Sequence, residues 1–309
     1  MINRRNMIAM GGAAALFGAL PQIAAAQDMG RFVDLGFIAS DAIVPAGVVV
    51  WLPPGYDHSG QRYGVVYMHD GQNLFDPKRS NFNKVWAADK SALRLIAAKK
   101  TQPFIIVGID QPGTDRYRQY FPKPMMNLVS PGVKQKIEEQ SGGKAITADA
   151  YLKFIVTQLK PRIDREFRTK ADRRHTTIAG SSMGGLISLY ALTQYPDVFG
   201  NAATVSTHLP LADPNWSADE RSDIDAAWRT YAKEYLGPPA GRRIWFDHGT
   251  ETLDAFYQPY QENLDAALTA NGWQQGRDFS SKVYAGAPHE ENAWAARLDD
   301  IFGWLLQNY

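Results

Sequence analysis

The chain contains no cysteine. That excludes a thiol nucleophile, a disulfide framework and a thiolate metal site, and it suits an oxidising compartment. It also lacks an excess of either charge: 33 Lys and Arg stand against 32 Asp and Glu, a net charge of +1. No global field exists to attract nucleic acid or anionic lipid, so neither is expected as a partner. There is no His-Glu-x-x-His pair, and "DGQNLFD" (70–76) lacks the alternating ligands and central glycine of a calcium loop. No metal and no cofactor are therefore expected. Internal repeats, low-complexity tracts and flexible interdomain linkers are also missing. What is present is 309 residues, 45% hydrophobic and 21% charged, a balance that suits one large globular domain with a sizeable core.

The first residues, "MINRRNMIAMGGAAALFGALPQIAAAQ", place Arg4 and Arg5 before an apolar, Ala- and Gly-rich run that ends in Ala24-Ala25-Ala26. These are the three parts of an export signal, read here as residues 1–26, with the working domain over 27–309. The paired arginines point to the twin-arginine type; an ordinary export signal with two arginines is the alternative. The run from Met7 to Leu20 is short for a bilayer span, so no stable membrane anchor is expected and the location is periplasmic or secreted.

Beyond the signal, strand and helix patterns alternate. "VVVWLPPGY" (48–56) and "YGVVYMHDG" (63–71) read as strands closed by turn residues. "DKSALRLIAAKK" (89–100) has helical spacing, and "FIIVGID" (104–110) is a continuous apolar run of the kind found in a strand buried on both faces. Helical spacing returns at 150–167. It is followed by the strand "HTTIAGS", the helix "MGGLISLYALTQY" and the strand "NAATVS". The last part reads as strand 242–249, helix 255–271, strand 279–286 and a closing amphipathic helix 290–307. Such alternation predicts an α/β fold with a mostly parallel, doubly wound sheet. Residues 111–150 and 207–241 break the rhythm with proline, glycine and mixed charge. They are expected to form two loop and helix excursions that cap one sheet end.

Ser182 stands in Gly-Ser-Ser-Met-Gly, between an apolar strand and a helix. A nucleophilic serine needs such a sharp strand-to-helix turn, with small flanking residues so that the backbone can pass itself; Gly180 and Gly184 supply them. The amide of Met183, at the helix N-terminus, is the first candidate oxyanion donor. A phosphate loop is disfavoured because residues 180–185 lack both the Lys-Ser/Thr of a P-loop and the dinucleotide glycine spacing. A serine of this kind needs an acid and then a histidine at later strand ends. Of six histidines, His289, just past the last strand, is the one placed as general base. His58 and His175 read as surface or packing residues, while His69 and His208 either line the site or are structural. His248 lies at a strand end, but no good strand-end acid separates it from Ser182. The acid is sought in "DHGTETLD" (247–254), where Asp247 belongs to the strand and Glu251 and Asp254 remain alternatives, with Asp254 preferred. The second oxyanion amide is expected in the turn Asp70-Gly71-Gln72-Asn73, from Gln72 or failing that Asn73.

Taken together, "GVVVWLPPGY", "GVVYMHDGQNLFD", "IIVGID", "AGSSMGGLISLYAL" and "GAPHEENAW" resemble an esterase family of α/β-hydrolases. Its members include enterochelin-esterase-like, feruloyl-esterase-like and S-formylglutathione-hydrolase-like enzymes, with mycolyltransferases as relatives. The resemblance runs from about Val48 to the C-terminus. It implies an α/β-hydrolase fold, Ser182 as nucleophile, His289 as base and an acid at 251–254. "RYRQYFP" resembles an Arg-x-x-Glu-Tyr-x-Pro segment of the enterochelin-esterase-like members, with Gln119 in place of the acid. Arg116 and Arg118 are placed to meet an anionic substrate or else to brace the loop. Asp70, Arg116 and His208 are the candidate substrate contacts. Trp86, Trp216, Met125 and Met126 either line an acyl pocket or fill the core.

The expectation is an exported serine hydrolase of carboxylic esters, acting through an acyl-enzyme on a small-molecule or carbohydrate-linked ester. An acyltransferase using the same intermediate and a binding protein on a hydrolase fold are the rivals. The excursions match no one subfamily, so the particular ester and the oligomeric state stay open.

Overall fold

The structure is a computed structural model that describes residues 28–307. The expected export signal lies outside the described residues. Eight strands form one sheet in the order β1-β2-β4-β3-β5-β6-β7-β8. They are β1 (Arg31–Ile38), β2 (Ala46–Leu52), β3 (Gly64–His69), β4 (Phe104–Ile109), β5 (Thr176–Ser181), β6 (Asn201–Val205), β7 (Arg243–Gly249) and β8 (Phe279–Tyr284). Pairing is antiparallel for β1 with β2 and for β2 with β4, and parallel from β4 across to β8.

The pattern of burial follows from this layering. Every residue of β2, β3, β4, β5 and β6 is buried, as continuous apolar runs covered on both faces require. One face is covered by α1 (Ala88–Ala97) and α9 (Glu291–Leu305), where Leu95, Leu298, Ile301 and Phe302 meet Val66, Met68, Ile106 and Trp245. The other face carries α6 (Met183–Gln194), which is apolar on all sides and buried along almost its whole length. Each fully buried Leu or Ile there contributes about 1.5–3 kcal/mol of hydrophobic stabilisation.

Three departures from the sequence reading have local causes. β1 escaped notice because it is an edge strand, mostly exposed, and its alternation is broken by a bulge between Asp34 and Gly36, where Gly36 takes a positive φ of 66°. The single helix expected over 150–167 is instead α4 (Ala148–Phe154), a π-turn (Ile155–Leu159) and α5 (Lys160–Glu166). Pro161 has no amide hydrogen, and the widened turn before it absorbs the missing bond. The helix expected from 255 starts later, as α8 (Gln258–Ala270), leaving Thr252–Phe256 as a 3-10 turn.

The first excursion holds α2 (Arg116–Tyr120) and α3 (Pro131–Gln140), and the second holds α7 (Ala218–Tyr231). They lock to each other. The Ser130 amide donates to Asp223 (2.7 Å), Lys136 pairs with Glu220 (2.7 Å) and lies over the Trp216 ring, and the Tyr117 hydroxyl donates to the Leu211 carbonyl (2.6 Å). Together they wall one side of the opening above Ser182.

Candidate active site

Ser182 sits at the corner between β5 and α6 with φ 57° and ψ −120°, a conformation that costs a non-glycine residue energy and persists only when its surroundings enforce it. The enforcement is visible. Its amide donates to the Val205 carbonyl (2.9 Å), and a Cβ at Gly180 would stand only 2.8 Å from the backbone of Gly184. A Cβ at Gly185 would meet Thr207 Oγ1 at 2.7 Å, so the third glycine of the motif is needed where α6 passes the segment after β6. The Met183 amide lies at the open N-terminus of α6, where backbone N–H groups have no partner within the helix.

His289 and Asp254 come together from different loops. His289 Nδ1 lies 2.6 Å from Asp254 Oδ1. Asp254 rides on the 3-10 turn after β7, fully buried, whereas Glu251 is exposed and only its backbone amide is engaged, with the Ala287 carbonyl (3.1 Å). The Thr250 amide shares that carbonyl, also at 3.1 Å. This stitches the loop of the acid to the loop of the histidine. A Cβ at Gly249 would overlap the Ala287 oxygen, so only glycine lets the two loops approach. Thr252 completes the join: its Oγ1 accepts the His289 amide at 2.8 Å.

Burial by itself would push the Asp254 carboxyl up. Hydrogen bonds from His289, from the Ser206 hydroxyl (2.6 Å) and from the Gly249 amide (2.5 Å) outweigh it and hold the group below the usual carboxylate range. Asp247, inside β7, is held above that range by burial and accepts bonds from Trp245 Nε1 (2.6 Å) and the Ser206 amide (3.1 Å). It does not reach the histidine.

The remaining histidines are committed elsewhere. His208 Nε2 faces the Ala212 carbonyl (2.7 Å), which can only accept, so that nitrogen carries the proton and Nδ1 accepts from the Tyr257 hydroxyl (2.7 Å). Burial, with His289 adding to it, lowers His208 to about 4 and keeps the ring neutral. The Tyr257 phenol also bonds the Ser182 side chain. His69 is fully enclosed, bonded through Nδ1 to Tyr151 (2.7 Å) and lowered to about 3 by burial. His248 Nδ1 meets the Gly249 carbonyl (2.6 Å) and His175 Nδ1 meets Asp172 (2.7 Å). His58 is exposed in a 3-10 turn.

Asp70 and Arg116 pair bidentately, both bonds 2.7 Å, at the cavity wall. Burial opposes the Arg116 charge, but the Asp70 carboxylate more than offsets it and raises the guanidinium further. Arg118 turns away, to Asp115 (2.7 Å) and the Ala145 carbonyl (3.2 Å). In the turn at 71–73 the Asn73 amide is taken by the Asp70 carbonyl (2.9 Å), and Gln72 and Asn73 both line the same cavity. The aromatic and methionine candidates fill the core instead: Trp86 packs on Trp294 and Met125 is buried. Trp216 donates to the Pro210 carbonyl (2.9 Å).

Ser182 opens onto two cavities. The larger, about 740 Å³, is lined by Gln72, Asn73, Arg116, His289, Trp294 and the Asn81–Lys84 segment. The smaller, about 410 Å³, is formed by both excursions with Met183, His208 and Leu253. Sequence reasoning missed Ser206, Tyr257, Trp294 and Arg297, all of which converge on this centre from distant parts of the chain. The readable signal was a charged residue, Arg297, on the apolar face of α9.

A strained serine at a strand-to-helix corner of a mostly parallel, doubly wound sheet, with a histidine and carboxylate beyond later strands, defines an α/β-hydrolase fold. The family described as "Putative esterase" matches residues 44–305, and the chain belongs to it. Among curated proteins it is similar to an iron(III) salmochelin esterase of Escherichia coli O6:H1, with 30% identity over 50% of this chain and 36% of that protein. It is likewise similar to an endo-1,4-beta-xylanase/feruloyl esterase of Xylanibacter ruminicola, with 28% identity over 53% of this chain and 20% of that one. The chain spans about half or less of the length of the curated relatives it matches. A solved ferulic acid esterase shares the fold with a TM-score of 0.64 and 19% identity, covering 91% of this chain and 99% of that one. Among the described residues no group of side chains is arranged to hold a metal ion, and no helix is long and apolar enough to cross a membrane.

Proposed function

We propose that the protein is a serine hydrolase of carboxylic esters that works through an acyl-enzyme, with Ser182 as nucleophile, His289 as general base and Asp254 as its orienting acid. The observation that carries this is the 2.6 Å contact of His289 Nδ1 with a buried Asp254 beside a cavity that also holds the strained Ser182. Ser182 Oγ bonds to the ester carbonyl carbon as its proton passes to His289 Nε2. The Met183 and Gln72 amides receive the charge on the carbonyl oxygen. The alkoxide then leaves with the proton held by His289. Water, deprotonated by the same histidine, attacks the acyl-enzyme, and the carboxylic acid departs as Ser182 regains its proton.

The substrate is a small-molecule or carbohydrate-linked ester. The names of the relatives, which include an iron(III) salmochelin esterase and an endo-1,4-beta-xylanase/feruloyl esterase, support that class. The larger cavity, rich in amide side chains, offers the polar surface such leaving groups need. The amino-terminal segment supports export, which fractionation of expressing cells tests directly.

The test of the chemistry is labelling by a fluorophosphonate probe, with the modified peptide mapped and Ser182→Ala as control. Labelling confined to Ser182, with hydrolysis of a p-nitrophenyl ester, is expected. Folded protein that neither labels nor hydrolyses would move the reading to a binding role. Transfer of the acyl group to added alcohols in preference to water would assign an acyltransferase.

A further inference from the structure

We propose that Ser206 and Arg297 form a buried clamp that positions Asp254 and keeps it charged, and that they are positioning residues for the reaction. The inference rests on the reading of Ser182, His289 and Asp254 given above.

The hydrogen-bond inventory around Ser206 leaves one arrangement. Its oxygen accepts from Trp294 Nε1 (3.0 Å) and from Arg297 Nη2 (2.8 Å), and neither of those groups can accept. The one Ser206 proton therefore points at Asp254 Oδ2, 2.6 Å away. The Gly249 amide occupies the same oxygen at 2.5 Å. With Oδ2 saturated, Oδ1 is the atom left for His289, and because a carboxylate only accepts, Nδ1 must carry the imidazole proton. Nε2 is thereby left unprotonated, as a general base requires.

Charge gives the clamp its second task. Asp247, Asp254 and Arg297 are all buried, so two carboxylates share one guanidinium in a region closed to water. Arg297 Nη1 lies 3.2 Å from Asp247 Oδ1 and Nη2 3.7 Å from Asp254 Oδ2. The charged or titratable groups facing Asp254 are His289 before α9, Arg297 within it, Asp247 on β7 and Tyr257 before α8. Without Arg297, two carboxylates would face each other in low dielectric, and their repulsion would make both of them, Asp254 included, bind protons at higher pH.

Ser206 itself follows β6 with φ 41°, a left-handed conformation that turns its side chain from the strand toward the acid. Trp294 and Arg297 are three residues apart, on one face of α9. The helix that follows the His289 loop thus reaches back to the strand ends and fixes the partner of that histidine.

Ser206→Ala, Arg297→Met, Arg297→Lys and the double variant Arg297→Met/Asp247→Asn test the clamp. Circular dichroism checks folding, and kcat and KM on a p-nitrophenyl ester are followed from pH 5 to 9. Ser206→Ala and Arg297→Met are expected to lower kcat by about tenfold to a hundredfold with KM nearly unchanged. In Arg297→Met the acid limb of kcat/KM moves to higher pH. Arg297→Lys retains the wild-type limb, and removing the second carboxylate in the double variant returns it there.

Folded Ser206→Ala and Arg297→Met proteins with wild-type kcat and pH profile would overturn the clamp. So would a loss of kcat with an unmoved acid limb that the double variant does not relieve. If Arg297→Met does not fold, Ser206→Ala decides by kcat: a loss of about tenfold or more with KM nearly unchanged supports the clamp, and wild-type kcat overturns it. Failure of the underlying reading is distinct: wild-type protein would then not label at Ser182, or Asp254→Asn would retain activity.

Discussion

Replacing Asp254 by asparagine changes one atom, and the structure allows its consequence to be worked out. Asp254 Oδ1 accepts from His289 Nδ1 at 2.6 Å, while Oδ2 accepts from Ser206 Oγ at 2.6 Å and from the Gly249 amide at 2.5 Å. An asparagine that keeps its oxygen toward His289 puts an NH2 group against the Gly249 N–H, donor against donor. The flipped amide relieves that conflict and presents the NH2 to His289 Nδ1, which can bond only by giving up its proton. The imidazole then carries its hydrogen on Nε2, facing Ser182, and cannot act as base. A wrong tautomer of this kind costs about 10⁴ in kcat in serine hydrolases, or roughly 5.5 kcal/mol at about 1.4 kcal/mol per decade. The assay is steady-state hydrolysis of a p-nitrophenyl ester with a thermal melt alongside. KM should stay within a few-fold, because neither oxygen of Asp254 reaches the cavity. Glu251→Gln is the control, its side chain being exposed, and should behave as wild type. A folded Asp254→Asn protein within tenfold of wild-type kcat would refute this reasoning, as would an equal loss in Glu251→Gln.

Two further outcomes follow from the same geometry. Gly180→Ala places a Cβ 2.8 Å from the Gly184 backbone, where no side chain can yield; a loss of about 1–3 kcal/mol or more is expected, with collapse of activity. Denaturant titration checks the first and probe labelling the second, and an active, equally stable variant would contradict the described corner. Acid should destabilise the fold early. His208 and His69 are held neutral by burial, at about 4 and about 3, so between pH 6.5 and about 4 the unfolded chain binds protons that the folded one does not. Stability is therefore complete above pH 6.5 and falls as pH drops, by about 1.4 kcal/mol per pH unit for each ring. Urea midpoints from pH 7 to 4.5 measure this. His208→Gln should make the fall about half as steep, and a flat wild-type profile would show that the rings are not buried neutral.

Much of the fold was legible because it is set by short-range pattern. The apolar runs of β3, β4 and β5 and the alternation with helices gave the sheet, and the serine corner was readable because its constraint, Gly180 against Gly184, acts between residues four apart. Where pattern and packing diverged, packing prevailed. The edge strand β1 has too little buried surface to show a period, and a proline split the helix at 155–159 with a π-turn.

The amino-acid sequence by itself determined the order of elements, the residue at the strand-to-helix corner and the position of His289 after the last strand. Each of these depends on neighbours in the chain. It left Glu251 and Asp254 open because three residues in an irregular turn can face any direction. Only the tertiary structure, through Thr252 with φ 53° and the bonds of the Thr250 and Glu251 amides to the Ala287 carbonyl, turned Asp254 inward to meet His289. The same holds for the interlocked excursions, for Asp70 being taken up by Arg116, and for Ser206 and Arg297. These partners are separated by 46 to 94 residues, and their bonds exist only after the sheet has brought its strand ends together.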